Sequence, residues 1–239
     1  MKKLVVITGA SSGIGQAIAR HFSHLGHPVL LLARRVQPML DLKLPNSLCR
    51  SVDVGDYKSM KQAIEEAQNQ FGTTDLLINC AGQMLLGHPE CQDFEEWSRM
   101  IDVNIKGILT GTKVVLPEMI KNNSGTIINI SSIAGRKTFD NHSIYCGTKF
   151  AVHAITESIR KEVSSTNVRM IIIAPGVVET PLLSHTTDQT IKDDYNTWKK
   201  TIEGGLDPQQ IVDCVDFAYR MPQSVCVREI VIAKTKQAD

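Results

Sequence analysis

The chain has 239 residues, of which 42% are hydrophobic, and its 26 Lys and Arg side chains nearly balance 25 Asp and Glu side chains. This length and apolar content suit a single α/β domain with one sizeable core. The even charge, without a long run of either sign, argues against a nucleic-acid or membrane surface, so we expect small-molecule partners.

The cysteines and the N-terminal residues favour a cytoplasmic protein. Six cysteines are scattered without a Cys-x-x-Cys pair, as is typical of free thiols in a reducing compartment. The opening MKKLVVITGA loses its apolar run after Ile7 and is not expected to be a signal peptide, and no segment approaches the roughly 20 apolar residues of a transmembrane helix. The stretch HFSHLGH holds three histidines without carboxylate or cysteine support, so no metal site is expected.

Short β-branched runs alternate with helical patterns along the chain. Strands are predicted at 3–8, 28–33, 49–53, 75–79, 125–131, 168–174 and 228–233. Helices are predicted at 13–25, 57–71, 93–121 with a break near 104–110, 143–165 and 208–220. The alternation predicts an α/β domain with a doubly wound parallel sheet of about seven strands and helices on both faces.

The segment 178–207 lacks this rhythm. It is polar and irregular and lies between the sixth strand and the last helix. Loops this long in compact domains are usually functional, so residues 179–205 are predicted to form a substrate lid, with a disordered insertion as the alternative. Apolar side chains there would exclude water, and lysines could either meet an anionic group or form a solvated helix face. These side chains are Leu182, Leu183, Tyr195 and Trp198, and Lys192, Lys199 and Lys200.

The first predicted strand runs directly into TGASSGIG, which opens the first helix. Its glycines allow a tight turn, a close approach of the backbone to a pyrophosphate, and close packing of helix on strand. Amides at the helix N-terminus would then face the phosphate, with two serines as additional donors. The predicted contacts are Gly9, Ser11, Ser12, Gly13, Ile14 and Gly15.

The second predicted strand ends in LLARRV. Ala33 has no carboxylate to hold the adenosine ribose of NAD, whereas Arg34 and Arg35 offer planar donors that suit the extra phosphate of NADP. NADP(H) is therefore the predicted cofactor, with a solvated loop start as the alternative interpretation of the arginines. After the third strand, Asp53 could bind adenine with Val54 packed on its ring, or Asp53 could cap a helix.

The stretch SIYCGTK places Tyr145 and Lys149 four residues apart, on one face of a predicted helix. An ammonium one turn away would favour the tyrosinate or orient its proton, which would make a phenol with an ordinary pKa of about 10 useful at neutral pH. The pair alone is common on surface helices. Three further stretches accompany it: NCAG at 79–82, VNIKG at 103–107 and INISSIAG at 128–135.

Together with the glycine-rich turn, these stretches resemble the short-chain dehydrogenase/reductase family from residue 3 to about residue 180. The resemblance implies a Rossmann-like fold, with Tyr145 as the acid/base that exchanges a proton with the substrate oxygen. It also implies that Lys149 binds the nicotinamide ribose and lowers the pKa of Tyr145. Ser132, rather than Ser131, would hold the substrate oxygen, and Asn104 would support Lys149 through water.

Further cofactor contacts follow from the same resemblance. In APGVVET, backbone groups near Val178 and the hydroxyl of Thr180 would hold the nicotinamide carboxamide. The remaining implied contacts are Asn79, Ala81, Gly82, Pro175 and Gly176, together with Tyr145 and Lys149. The family usually has a second asparagine where this chain has Cys80, which puts the local support of that turn in doubt.

The expected activity is NADP(H)-dependent oxidation and reduction at the CH–OH group of a small molecule. The overall pattern resembles the NADP-dependent branch with 3-hydroxy acid dehydrogenases and sepiapterin-type carbonyl reductases, which implies a 3-hydroxy acid or a similar polar ketone or aldehyde. Two alternatives stay open: a catalytically silent dinucleotide-binding regulatory protein, and a reductase for a larger, steroid-like ketone. A homo-oligomer, tetramer or dimer, is also implied. Small side chains at Ala151, Ala154 and Ser158 would let a partner helix approach, or would pack on the chain's own sheet.

Overall fold

Seven parallel strands form the centre of the protein, whose structure is a computed structural model describing residues 2–238. The strands are β1 (Leu4–Thr8), β2 (Val29–Ala33), β3 (Ser47–Ser51), β4 (Thr74–Asn79), β5 (Gly125–Ile130), β6 (Val168–Pro175) and β7 (Glu229–Ile232). Their order in the sheet is β3-β2-β1-β4-β5-β6-β7. The predicted doubly wound parallel sheet is confirmed.

Eight α-helices accompany this sheet within the described residues, and five of them pack directly on its two faces. They are α1 (Gly13–His24), α2 (Gln37–Leu40), α3 (Tyr57–Phe71), α4 (Phe94–Ile101), α5 (Gly107–Lys121), α6 (Ser143–Glu162), α7 (Gln189–Thr201) and α8 (Pro208–Arg220). A π-helix, Asp102–Lys106, joins α4 to α5, and 3-10 helices span Ile133–Gly135 and Pro181–His185. Every helix in this part of the chain is too short or too polar to cross a bilayer.

Strand β1 shows why the sequence folds into three layers. All five of its residues are buried, as expected for a strand covered on both faces. Val5 and Ile7 belong to the apolar cluster that includes side chains of α1 and α8. Leu4 and Val6 belong to the cluster on the other face, with side chains of α3 and α5. The alternation of side chains along one continuous apolar run therefore builds both halves of the core.

The strand order reverses beside β1, and this reversal positions the site. Strand β1 pairs with β2 on one side and with β4 on the other, because the chain crosses back over the sheet after β3. In open parallel sheets such a switch point leaves a crevice at the carboxyl ends of the strands, where ligands bind. The predicted glycine-rich turn follows β1 at this edge.

The structure differs from the sequence prediction in four places. The third strand lies at 47–51, two residues before the predicted 49–53, and the short helix α2 was not predicted. The long predicted helix 93–121 is divided by the π-helix at 102–106, which begins two residues before the break expected near 104–110 and overlaps it. Most importantly, the segment predicted as irregular contains a 3-10 helix and the 13-residue helix α7, whose N-terminus is capped by the Asp188 carboxylate.

Candidate active site

One cavity of about 1030 Å³ runs along the carboxyl ends of the strands. Its size and position fit an elongated ligand together with a smaller one. Nearly all the residues predicted for the site line it: Gly9, Ser11, Ser12, Gly13, Ile14, Gly15, Arg34, Arg35, Asp53, Val54, Ala81, Gly82, Ser132, Tyr145, Lys149, Pro175, Gly176, Val178 and Thr180. Asn79 and Asn104 are the two exceptions.

The turn after β1 has no room for larger side chains. Gly9 has a φ of +68°, and a Cβ there would lie 2.8 Å from the backbone of Ala81. A Cβ on Gly15 would collide with the carbonyl oxygen of Gly9. At the helix N-terminus, Ser12 has extended backbone and its side chain makes no capping hydrogen bond. The turn is thus a glycine-lined cradle whose amides and free hydroxyl can hold a pyrophosphate.

The end of β2 supplies the positive charge of the cavity. Arg34 and Arg35 are both exposed, and neither guanidinium forms an ion pair with any of residues 2–238. Sequence reasoning missed a third basic group, His185 of the lid, whose Nδ1 is buried without a hydrogen-bond partner. Burial and then the two arginines lower the pKa of His185. No motif marks this histidine, because the lid brings it to β2 from far along the chain.

Asp53 stabilises a turn at the edge of the cavity. One of its carboxylate oxygens accepts a hydrogen bond from the amide of Gly55 at 2.9 Å. The cap of α3 is Asp56 instead, whose carboxylate accepts from Lys58. Of the two interpretations of Asp53, the helix cap is therefore wrong, and its second oxygen remains available to a ligand. Val54 is buried and lies against Gly107.

Tyr145 and Lys149 lie on one face of α6, both almost fully buried. The Lys149 ammonium lies 5.7 Å from the centroid of the Tyr145 ring and donates a hydrogen bond to the carbonyl of Ile130 at 3.0 Å. Ser132 follows β5 and lies beside the Tyr145 phenol, and its oxygen accepts a hydrogen bond from the amide of Ala134 at 3.1 Å. The neighbouring Ser131 hydroxyl is buried without a partner.

Burial dominates the electrostatics of this pair. It raises the pKa of Tyr145, and the neighbouring Ser132 hydroxyl offsets this rise only in part. Burial also lowers the pKa of Lys149 to about 8. The expected lowering of the tyrosine pKa by Lys149 is therefore absent from the protein alone, because a dry pocket disfavours the charged form of both groups. The phenol holds its proton here.

Asn104 is buried and does not line the cavity, but it contacts residues that do. Its carboxamide accepts from the amide of Gln83 at 2.8 Å and donates to the carbonyl of the same residue at 2.9 Å. It also donates to the Thr148 hydroxyl at 3.0 Å. A Cβ added at Gly82 would lie 3.6 Å from Asn104 Oδ1 and 3.9 Å from Lys149 Nζ. Asn104 thus ties α6 to the end of β4 at a point that Lys149 also reaches.

Asn79 does not line the cavity, and its place among the cofactor contacts stays a prediction. Its side chain is buried and donates to Asn129 Oδ1 at 2.8 Å, which joins β4 to β5.

The turn that contains Cys80 is supported by a residue of another strand, although the family's usual second asparagine is missing. The Thr8 hydroxyl accepts from the amides of Cys80 and Ala81, at 3.0 Å and 3.1 Å, and so supports this turn without a second asparagine.

The loop after β6 is held in place by distant residues. Val177 and Glu179 each form a backbone hydrogen bond with Leu206. The Val177 amide donates to the side chain of Gln237 at 3.1 Å, a contact that the sequence did not predict. The amide of Val178, between them, has no partner within the described part of the chain and is free for a ligand.

Aromatic and imidazole side chains line the part of the cavity around Tyr145. Phe139 and His142 precede α6, while Tyr195 and Trp198 come from α7, and all four line the cavity close to Tyr145. The lid lysine nearest to them, Lys199, is paired with Glu179 at 2.9 Å. Within residues 2–238, no group of three or more His, Cys, Asp or Glu side chains could hold a metal ion.

Comparisons with known proteins agree with this geometry. A family model described as short chain dehydrogenase matches residues 3–191. An uncharacterized oxidoreductase of Staphylococcus saprophyticus is 39% identical over 242 residues, covering 99% of this chain and 97% of that protein. A similar oxidoreductase of Staphylococcus epidermidis is 37% identical, covering 97% of this chain and 96% of its own.

Two solved structures are also similar. The closed form of serine dehydrogenase complexed with NADP+ has a TM-score of 0.91 at 29% identity, and the match covers 99% of this chain and 96% of that one. Serine dehydrogenase from Escherichia coli has a TM-score of 0.85 at 28% identity, with 99% of this chain and 100% of the other covered.

Proposed function

This chain belongs to the short-chain dehydrogenase family, and on that premise we propose that it is an NADP(H)-dependent oxidoreductase that interconverts a small carbonyl compound and a secondary alcohol. The observation that carries the proposal is the grouping of Ser132 with the buried Tyr145 and Lys149 in a cavity that also holds the glycine-lined cradle. The family resemblance makes polar ketones and aldehydes, or the corresponding alcohols including 3-hydroxy acids, the candidate substrates.

The residues of the cavity fit NADP(H) along its length. The cradle after β1 would hold the pyrophosphate, and the unpaired guanidinium groups of Arg34 and Arg35 would bind the adenosine phosphate. The free amide of Val178 and the Thr180 hydroxyl would hold the carboxamide. When bound there, NADP(H) supplies or accepts the hydride. The similarity to an NADP+ complex of serine dehydrogenase supports this choice of cofactor.

Tyr145 would supply the proton. In the reducing direction, its phenol and the Ser132 hydroxyl donate hydrogen bonds to the substrate oxygen, and the phenol transfers its proton as negative charge develops there. The raised pKa of Tyr145 keeps that proton in place beforehand. In the oxidising direction the phenolate is needed, and a protonated Lys149 would favour it. Asn104 would hold the part of α6 that carries Lys149 in place against the turn after β4.

The proposal extends to the setting of the enzyme. All six cysteines are free thiols, which suits the cytoplasm, and the family resemblance favours a homo-oligomer. A catalytically silent dinucleotide-binding protein remains the competing hypothesis, since it would keep the cradle without the chemistry.

The test is replacement of Tyr145 with phenylalanine. NADPH oxidation is followed at 340 nm with a panel of ketones, aldehydes and oxo acids, first for the unmodified protein. Tyr145→Phe should lower kcat by about 10²- to 10⁴-fold, because it removes only the transferable proton, and should leave NADPH affinity nearly unchanged. Tyr57→Phe, on an exposed tyrosine outside the cavity, is the matched control.

Two results would overturn the proposal. More than half of the unmodified activity in Tyr145→Phe would show that the phenol is not the acid/base. NADPH binding without turnover of any carbonyl in the panel would instead favour the silent regulatory protein.

A further inference from the structure

A continuous row of rings leads from the acid/base into the lid. The His142 ring lies 6.2 Å from Tyr145 and 6.4 Å from Tyr195, measured between ring centroids. Phe139 packs on His142 at 5.6 Å, and Trp198 packs on Tyr195 at 5.4 Å. All five rings line the same cavity. A flat ligand could therefore contact ring faces or edges from the reacting atom outwards.

His142 contributes a ring and no positive charge. Its Nδ1 lies 2.6 Å from the carbonyl oxygen of Asp140. Because a carbonyl only accepts, this nitrogen carries the hydrogen and the neutral tautomer leaves Nε2 as an acceptor. Burial lowers the pKa of His142, which also favours the neutral form.

Among residues 2–238, no positive side chain at this end is free to meet a substrate anion. Lys199 is paired with Glu179, and Lys149 lies behind Tyr145 with its ammonium on the Ile130 carbonyl. Lys192 and Lys200 do not line the cavity. The unpaired cations of the cavity, Arg34 and Arg35, lie at its other end, where β2 ends.

Two carboxylates do line the substrate end. Asp140 and Asp194 are exposed at its rim, and neither forms an ion pair with another of the described residues. A substrate carboxylate would therefore lose water, find no cation, and meet like charge. An uncharged substrate avoids all three costs.

We propose that the substrate is an uncharged ketone or secondary alcohol that carries a flat, unsaturated ring beside the reacting carbon. This inference rests on the proposed function and narrows it: among the substrates considered from the sequence, it argues against 3-hydroxy acids. Trp198 and Tyr195 would stack on or against the ring, and Asp194 would exclude anionic analogues.

The first test measures binding of inert probes, so that it does not depend on turnover. Benzamide is flat and uncharged, cyclohexanecarboxamide is uncharged and not flat, and benzoate is flat and anionic. Calorimetry on the protein saturated with NADP+ should give a benzamide affinity about 2- to 10-fold above cyclohexanecarboxamide and about tenfold or more above benzoate. Failure of benzamide to bind, or binding of benzoate as tight as that of benzamide, would overturn the proposal.

The second test assigns each preference to a side chain. Trp198→Leu should remove the preference for benzamide over cyclohexanecarboxamide. Asp194→Asn should narrow the gap between benzamide and benzoate, whereas Asp193→Asn should not, because Asp193 is bonded to Gln189 and does not line the cavity. Equal effects of the two aspartate variants would contradict the role given to Asp194.

The third test uses a matched substrate pair. Methyl benzoylformate should be reduced with a kcat/KM at least tenfold above that of benzoylformate, and the reverse order would refute the inference. If the protein is not an oxidoreductase at all, the result is different. Neither compound of the pair is then reduced, but the order of binding affinities among the inert probes can still be measured.

Discussion

Replacing Lys149 with methionine should stabilise the protein while removing most of its activity. The Lys149 side chain is buried, and burial lowers its pKa from 10.5 to about 8. At about 1.4 kcal/mol for each pKa unit, holding the protonated side chain in the fold at pH 7 costs about 3 kcal/mol. A methionine of similar length pays no such cost. It does lose the hydrogen bond to the Ile130 carbonyl, which contributes about 1 kcal/mol.

The net gain for Lys149→Met is therefore about 2 kcal/mol at pH 7. In a chain of this size it should raise Tm by about 4 to 8 °C. If the proposed function holds, activity should fall by about 10²-fold or more, because the variant would lose the cation proposed to orient the cofactor ribose and to favour the phenolate. Reversible denaturant unfolding of the protein without cofactor, together with the 340 nm assay, measures the two effects separately.

The pH dependence of the stability difference identifies its cause. Between pH 8 and pH 10.5 the unfolded chain still binds the Lys149 proton, whereas the folded chain has released it. The unmodified protein therefore gains stability with rising pH in this window, and the methionine variant has no such titration. The extra stability of the Lys149→Met variant over the unmodified protein should be complete below about pH 8 and should shrink towards pH 10.

The matched control is Lys137→Met, which replaces an exposed loop lysine. It should change stability little at either pH. The reasoning fails if Lys149→Met is less stable than the unmodified protein at pH 7, or if its advantage is the same at pH 9.5 as at pH 7.

Three further outcomes are expected. The unmodified enzyme should prefer NADPH, and the double variant Ala33→Asp, Arg34→Ser should prefer NADH, as measured by kcat/KM; equal use of both cofactors by the unmodified enzyme would contradict the role of the arginines. Gly15→Ala should lose NADPH binding, measured by cofactor fluorescence, because the new methyl group collides with the Gly9 carbonyl, whereas Gly147→Ala has open space and should be neutral or stabilising by up to about 1 kcal/mol. Light scattering at micromolar concentration should give the mass of a dimer or tetramer, and a monomer would refute this expectation.

The parts of the fold that sequence predicted are those with short-range signals. Each central strand is an unbroken apolar run, and the turn after β1 has glycines where no Cβ fits. Both signals lie within a few consecutive residues, so the number of strands and the cradle could be predicted. The topology followed from the alternation of strands and helices. The pairing of Tyr145 with Lys149 was also local, because i and i+4 on a helix always share a face.

Features that depend on distant residues were missed. Helix α7 has its apolar residues at Ile191, Tyr195 and Trp198, a helical spacing that would have revealed it, but its polar background concealed the pattern. Gln237 and His185 reach the cavity only through the fold. The raised pKa of Tyr145 in the protein without cofactor was not predicted either, since the sequence shows a nearby lysine but not the burial that outweighs it.

The π-helix at 102–106 gives this protein an unusual sensitivity to changes in length. A π turn holds one residue more than an α turn, so losing one codon in this stretch would let the helix close with ordinary α hydrogen bonds. The backbone would gain regularity and the helix on either side would keep its direction, but the side chains inside the former π turn would point in new directions. The Asn104 carboxamide could then no longer meet both backbone groups of Gln83. A single-codon deletion that leaves a well-ordered helix would thus be tolerated by the fold and eliminated by selection on activity.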